Sequence, residues 1–135
     1  MKLRHRCIGF GVLLLLATTG CSATGVANSV ERGVPDGLEV DLLSGEPAAA
    51  WIEEGKRFAI VTMGSSSCPA VATALSADGE DRVTVTFGPS PRNPCTADMA
   101  ATTHTFDLPS GSNPGRLTIE VTYEDWPDVH ELTLE

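Results

Sequence analysis

Lysine is almost missing from this chain of 135 residues: Lys2 and Lys56 are the only two. The shortage of positive charge becomes sharper beyond residue 20, where six basic residues face eighteen acids, a net charge of −12. A surface of that sign repels phosphates, so nucleic acid is excluded as a natural partner. No apolar run approaches the ~20 residues that a membrane-spanning helix needs. The longest, residues 8–17, is about half that. There is no Cys-x-x-Cys, the usual spacing of a redox pair. No helical stripe, heptad or internal repeat is visible, which leaves little to build an α-domain from.

What the chain does have begins with its first twenty residues. Lys2, Arg4 and Arg6 precede the apolar run, and Thr18-Thr19-Gly20 follow it, small enough for a peptidase pocket. This is the layout of a secretory signal. Thr18-Thr19-Gly20-Cys21 resembles the lipobox of bacterial lipoproteins, with Thr18 where that family usually has Leu. The resemblance implies a diacylglyceryl group on the Cys21 thiol, cleavage after Gly20, and a chain held by its acyl groups on the outer, extracytoplasmic face of the cell membrane. The alternative is an ordinary signal peptide cut after Ala23. Several buried acyl chains, palmitate among them, hold a small domain firmly at roughly 0.8 kcal/mol per methylene. The whole chain is similar to small lipoproteins of GC-rich Gram-positive bacteria, by the lipobox, the low lysine count, the Ala-, Gly-, Asp- and Val-rich usage and Gly64-Ser65-Ser66-Ser67-Cys68-Pro69 after a strand. That likeness implies an exported, tethered protein and no particular activity.

The expected organisation is a signal peptide over 1–20, a flexible tether over 21–37 and a β-sandwich-like domain over 38–135. The tether is read from a Ser-, Gly-, Ala- and Asn-rich composition that buries little apolar area. Cys7 leaves with the signal and Cys21 takes the lipid, so Cys68 and Cys95 remain as one pair in an oxidising compartment. A disulfide closing that loop stabilises by roughly 3–4 kcal/mol in the chain-entropy model.

Beyond residue 37 the pattern alternates with period two. Leu38, Val40 and Leu42 share one parity. So do Val83, Val85 and Phe87; His104, Phe106 and Leu108; Leu117, Ile119, Val121 and Tyr123; and His130, Leu132 and Leu134. Residues 58–63 are apolar on both parities, as in a central strand covered on both faces. Residues 50–52 and 71–75 are weaker strand candidates. Residues 97–102 are compatible with a single helical turn. Glu54-Gly55, Asp78-Gly79 and the Ser-Gly-Asn-Pro run at 110–115 punctuate the strands. Gly88 to Asp98 and Glu124 to Asp128 are longer interruptions. The prediction is an all-β fold: a small sandwich or barrel of about seven or eight antiparallel strands with one disulfide.

Four features are candidate sites. Ser65, Ser66 and Ser67 begin like a Gly-x-Ser-x-Gly elbow, but Cys68 replaces the second Gly, and a serine hydrolase would need His104 or His130 as its base. Met63, Met99, His104 and His130 are the side chains from which a copper carrier would be made, since thioether and imidazole suit that metal. Asp78, Glu80 and Asp81, and Glu124, Asp125 and Asp128, offer oxygens without the spacing of a calcium loop. Trp51 reads as a core plug. Trp126, beside Pro127 in an acidic stretch, reads as a contact for a partner. The function expected is a non-enzymatic binding module of the envelope, without a cofactor, meeting the membrane through its lipid and another envelope protein through Trp126.

Overall fold

A computed structural model describes residues 25–112 and 115–135. Cys21, and with it the expected signal and lipidation site, lies outside the described residues. Eight strands follow one another: β1 (Ser29–Arg32), β2 (Ala48–Glu53), β3 (Arg57–Gly64), β4 (Val71–Ala77), β5 (Arg82–Gly88), β6 (Ala100–Asp107), β7 (Leu117–Tyr123) and β8 (Trp126–Leu134). They form two four-stranded sheets, ordered β1-β6-β3-β2 and β4-β5-β7-β8. The all-β sandwich expected from the alternation is therefore present, and there is no helix among the described residues.

The period of two explains which residues meet. On β3 and β6 the register pairs Phe58 with Phe106 and Ile60 with His104, so these four side chains share the inner face. Phe58 and Phe106 stack with centroids 5.3 Å apart. From the second sheet Val83, Val85, Phe87, Ile119 and Val121 face them, all without solvent exposure. Fully burying each such side chain contributes about 1.5–3 kcal/mol. Trp51 packs against this core from β2, as expected. The alternate positions of the second sheet, Arg82, Thr84, Thr86, Thr118, Glu120 and Thr122, form its polar outer face, with Thr86 and Thr122 hydroxyls 2.9 Å apart.

One pair departs from the antiparallel expectation: β5 and β7 run parallel. After β5 the chain crosses to the other sheet to make β6, then returns, and that detour through the opposite layer lets β7 enter beside β5 in the same direction. The residues expected to turn once at 97–102 instead enter β6 at Ala100. Leu38, Val40 and Leu42 alternate, but no strand forms there. β1 and β2 occupy opposite edges of one sheet, so residues 33–47 must cross its width, about 14 Å at the usual strand spacing. The crossing runs on the outer side. Thr103, which points outward, donates its hydroxyl to the Gly33 carbonyl at 2.7 Å. Ala59 and Val61, also outward, are fully buried. The double-sided apolarity of β3 thus has a cause: one face meets the core, the other meets this crossing segment.

The expected tether over 21–37 needs correction. Residues 29–32 are β1, paired with β6 from Ser29 opposite Thr105 to Arg32 opposite Thr102. Just before it, the Val26 N–H donates to the Ala72 carbonyl on β4 at 2.9 Å, and the Asn28 N–H donates to the Thr105 carbonyl on β6 at 2.8 Å. Ala27 between them is buried in the core. The segment is a clasp that joins the two sheets at their β1/β4 edge. Its composition is tether-like because it contributes mostly backbone hydrogen bonds. Gly25 starts the clasp at φ +60°, and a Cβ there would stand 2.0 Å from the Ala72 carbonyl oxygen. Gly25→Ala therefore forces the clasp off β4 and is expected to cost about 1–3 kcal/mol of folding stability, read as a lower urea midpoint; an unchanged midpoint would mean that the clasp does not hold this edge.

Candidate functional site

The turn between β7 and β8 is tight, and β8 starts at Trp126 rather than after it. Extended backbone puts Trp126, Asp128 and His130 on one side of the strand. The indole N–H donates to the Asp128 carboxylate at 2.7 Å. This bond fixes the ring while leaving the side chain 63% exposed. Tyr123 closes the hairpin opposite Trp126, and its ring meets His130 edge-on at 6.2 Å. Met63 and the Ser44-Gly45-Glu46 turn complete a cleft of about 420 Å³. Burial pushes the Tyr123 phenol above its ordinary pKa, so it stays a neutral donor.

The four side chains considered for copper do not come together. Met63 and His130 line this cleft. Met99 lines a different groove, with Val34, Val40 and Leu42. His104 is wholly buried on the inner face of β6. It packs edge-on against Phe87 at 4.9 Å, and Phe87 in turn packs against Tyr123 at 5.9 Å, so two rings separate it from His130. The Met63, Met99, His104 and His130 set is therefore no metal centre: strand order leaves Met63 and His130 at one cleft, Met99 at a separate groove and His104 inside the core. Among the described residues no three His, Cys, Asp or Glu side chains gather as metal ligands. Three of the six candidate calcium carboxylates have other partners: Thr84 donates to Asp78, Thr73 to Glu124 at 2.7 Å, and Trp126 to Asp128.

The serine-rich loop has a different geometry from a nucleophile elbow. Cys68 and Cys95 form a disulfide that joins the loop after β3 to the proline-rich loop before β6. Ser65, Ser66 and Ser67 each lie within 3.4 Å of the Thr96 hydroxyl, and the Ser67 hydroxyl accepts the Thr96 N–H at 2.9 Å. The Ser66 N–H and the Thr96 hydroxyl both donate to Asp98, at 3.2 and 2.5 Å. The Ser66 side chain first, then the Thr96 hydroxyl and the Ser66 N–H, hold the Asp98 carboxyl down at about 2. No hydrogen bond links these serines to a histidine among the described residues. The hydroxyls brace the disulfide loops.

Tyr123 and Asp128 were not singled out from sequence as parts of the cleft. The usable signal was Trp-x-Asp: on a strand, residues two apart share a face, so the carboxylate can hold the indole. The contribution of residues 44–46 had no sequence signal, since it depends on where the crossing segment lands. No protein-family model, no curated protein and no solved structure matches the chain.

The buried His104 carries a pH signature. Its Nε2 lies 3.0 Å from the Thr62 hydroxyl, and Nδ1 has no partner. Burial therefore penalises the imidazolium, and the pKa falls from 6.5 to about 4. The unfolded chain takes up this proton below pH 6.5, the folded chain only near 4, so stability is fullest above 6.5 and declines as the pH drops between those values. The expected loss is about 3 kcal/mol across that window. Asp98 acts in a separate window, contributing above pH 3.8 and fading toward 2. Urea melts at pH 7.5, 6, 5 and 4.5 should show the decline in the native protein and a flatter profile in His104→Gln; equal slopes would rule out His104 as its source.

Proposed function

We propose that the chain is a lipid-anchored lipoprotein on the outer face of the cell membrane, and that it works as a non-enzymatic binding module which holds another envelope protein at the Trp126 cleft. The observation that carries the reading is the pinned, exposed indole. A free surface tryptophan loses rotamer freedom when it binds. Here the Asp128 bond has already removed much of that freedom, so less is lost on contact. Tryptophan with a tyrosine beside it is the typical composition of an interface hot spot. Glu46 and Asp128 border the cleft, and the surrounding surface is strongly acidic. The partner segment that fits is one with a basic side chain next to an apolar or aromatic one. The disulfide suits an oxidising compartment outside the cytoplasm, and the acyl anchor on Cys21 keeps the module at the envelope.

The test is crosslinking in intact cells with a photoreactive residue at Ser44, which is exposed and lines the cleft, followed by affinity measurement with the captured partner. Trp126→Ala should leave the melting temperature unchanged and weaken binding by roughly thirtyfold, the size expected of a hot-spot residue. A consistent partner whose affinity ignores Trp126→Ala would remove the cleft from the interaction.

A further inference from the structure

Main-chain groups that the sheets leave unpaired line the outer side of β8. Among the described residues β8 is an edge strand whose ladder is with β7 alone. The direction of its remaining hydrogen-bonding groups follows from β7. There the Thr118 N–H donates to the Asp81 carbonyl at 2.8 Å and the Glu124 N–H to the Phe87 carbonyl at 2.9 Å, so the even-numbered residues turn their backbone toward β5. Neighbouring residues of a strand aim N–H and C=O to opposite sides. Leu117, Ile119 and Val121 therefore bond to β8, through their partners Leu134, Leu132 and His130. The residues in between, Val129, Glu131 and Thr133, aim N–H and C=O away from the sheet. All three are exposed.

The other edges offer less. β1 has four residues, β2 is interrupted by a bulge between Trp51 and Glu53, and β4 gives the Ala72 carbonyl to the clasp. β8 has nine residues and three free donor–acceptor sets at the two-residue spacing that an added strand requires. Charge along it is one-sided. Glu120, Asp128, Glu131 and Glu135 stand on or beside the strand. The cations paired with them are Arg82, shared between Glu120 and Glu131, and Arg116, on Glu135. Two acids are left over, and the Glu131 side chain stays 60% exposed despite its pair.

We propose that an extended segment of the partner protein adds to β8 as a further antiparallel strand, bonding to the main chain of Val129, Glu131 and Thr133, with a lysine or arginine opposite Glu131 and an aliphatic residue opposite Val129. The proposal rests on the reading of this end of the molecule as a binding surface, and names how the partner is held there. A second copy of the chain fits worse. The antiparallel register of β8 with itself that uses all three free residues sets the two Glu131 carboxylates directly opposite each other, and like charges so placed are destabilising. A basic residue at that position reverses the sign. An antiparallel strand runs from Thr133 toward Val129, so its next residues arrive at the Trp126 cleft, where β8 begins. The main-chain bonds give affinity, and Glu131 and the cleft give sequence preference.

The test is residue-resolved amide exchange by NMR on the full-length protein in detergent, with the synthetic peptide acetyl-Thr-Val-Thr-Arg-Thr-Val-Lys-Trp-amide as probe. Without peptide, the Val129, Glu131 and Thr133 amides should exchange far faster than those of Leu132 and Leu134. Saturating peptide should slow the three by about tenfold or more. Glu131→Gln should weaken the peptide a few-fold, the size of one opposite-charge pair across strands. Val129→Pro removes an N–H that bonds nothing in the fold, on an edge that tolerates proline; it should keep the urea midpoint and lose the slowing at Glu131 and Thr133. Unchanged exchange at the three amides overturns strand addition. A shift of the Trp126 indole resonance in that case leaves the cleft reading standing. Slowing that survives Trp126→Ala supports strand addition and removes the cleft. Slow exchange at the three amides before peptide is added, with a dimer in sedimentation, assigns the edge to a second copy and overturns the proposal.

Discussion

The pairing of β3 with β6 is the constraint on which the other features depend. Its eight-residue ladder runs without a break from Arg57 opposite Asp107 to Gly64 opposite Ala100. The inner face of the ladder provides Phe58, Ile60, His104 and Phe106 to the core. The outer face supplies Ala59, Val61 and Thr103, the bed on which the crossing segment lies. The disulfide continues the ladder beyond its last pair, since Cys68 follows β3 by four residues and Cys95 precedes β6 by five. In the chain-entropy view the bridge removes freedom from the unfolded state, a contribution of roughly 3–4 kcal/mol. Because it sits where the ladder ends, it also holds two loops that would otherwise splay apart, and the serine, threonine and aspartate bonds between those loops become geometrically possible.

The two open edges of the sandwich are closed by different means, and this gives the molecule a direction. At the β1/β4 edge the closure is backbone: Val26 bonds to one sheet and Asn28 to the other. The β2/β8 edge instead carries side chains around the Trp126 cleft. An edge bridged by hydrogen-bonded main chain offers little to a partner. An edge with a fixed aromatic ring offers a large contact area at low entropic cost. Of the two edges, the second is the one that leaves exposed side chains for contact.

Much of the fold was legible because a strand's burial depends on parity, and parity can be read directly. Val83, Val85 and Phe87, like Leu117, Ile119 and Val121, went where their spacing placed them. The failures share a cause. Leu38, Val40 and Leu42 have the right parity, but alternation reports a half-buried surface, and a crossing segment lying on a sheet is half-buried without being paired. Ser29–Arg32 has the opposite problem: an edge strand needs only its backbone to pair, so Ser, Glu and Arg betray nothing. The candidate site was readable one residue at a time. Trp126 could be suspected from its acidic, proline-flanked surroundings. That Met63 and His130 would share its cleft, while Met99 and His104 went elsewhere, depends on strand order and on the landing point of residues 33–47, neither of which local pattern encodes.

The ion pairs matter here through what they leave over. Exposed pairs such as Lys56 with Glu53 contribute little to stability, a few tenths of a kcal/mol to about 1. Their cumulative effect is on charge distribution. Each one neutralises a cation in place, at the turn before β3, across the ends of β3 and β6, on the polar face of the second sheet, and near the C-terminus. What remains is a broad negative field: Arg32 and Arg92 have no ion-pair partner among the described residues, but Glu31 lines the same hollow and Asp98 is bonded to Ser66 in its wall. The sequence has very few basic residues, and their placement therefore matters more than their number.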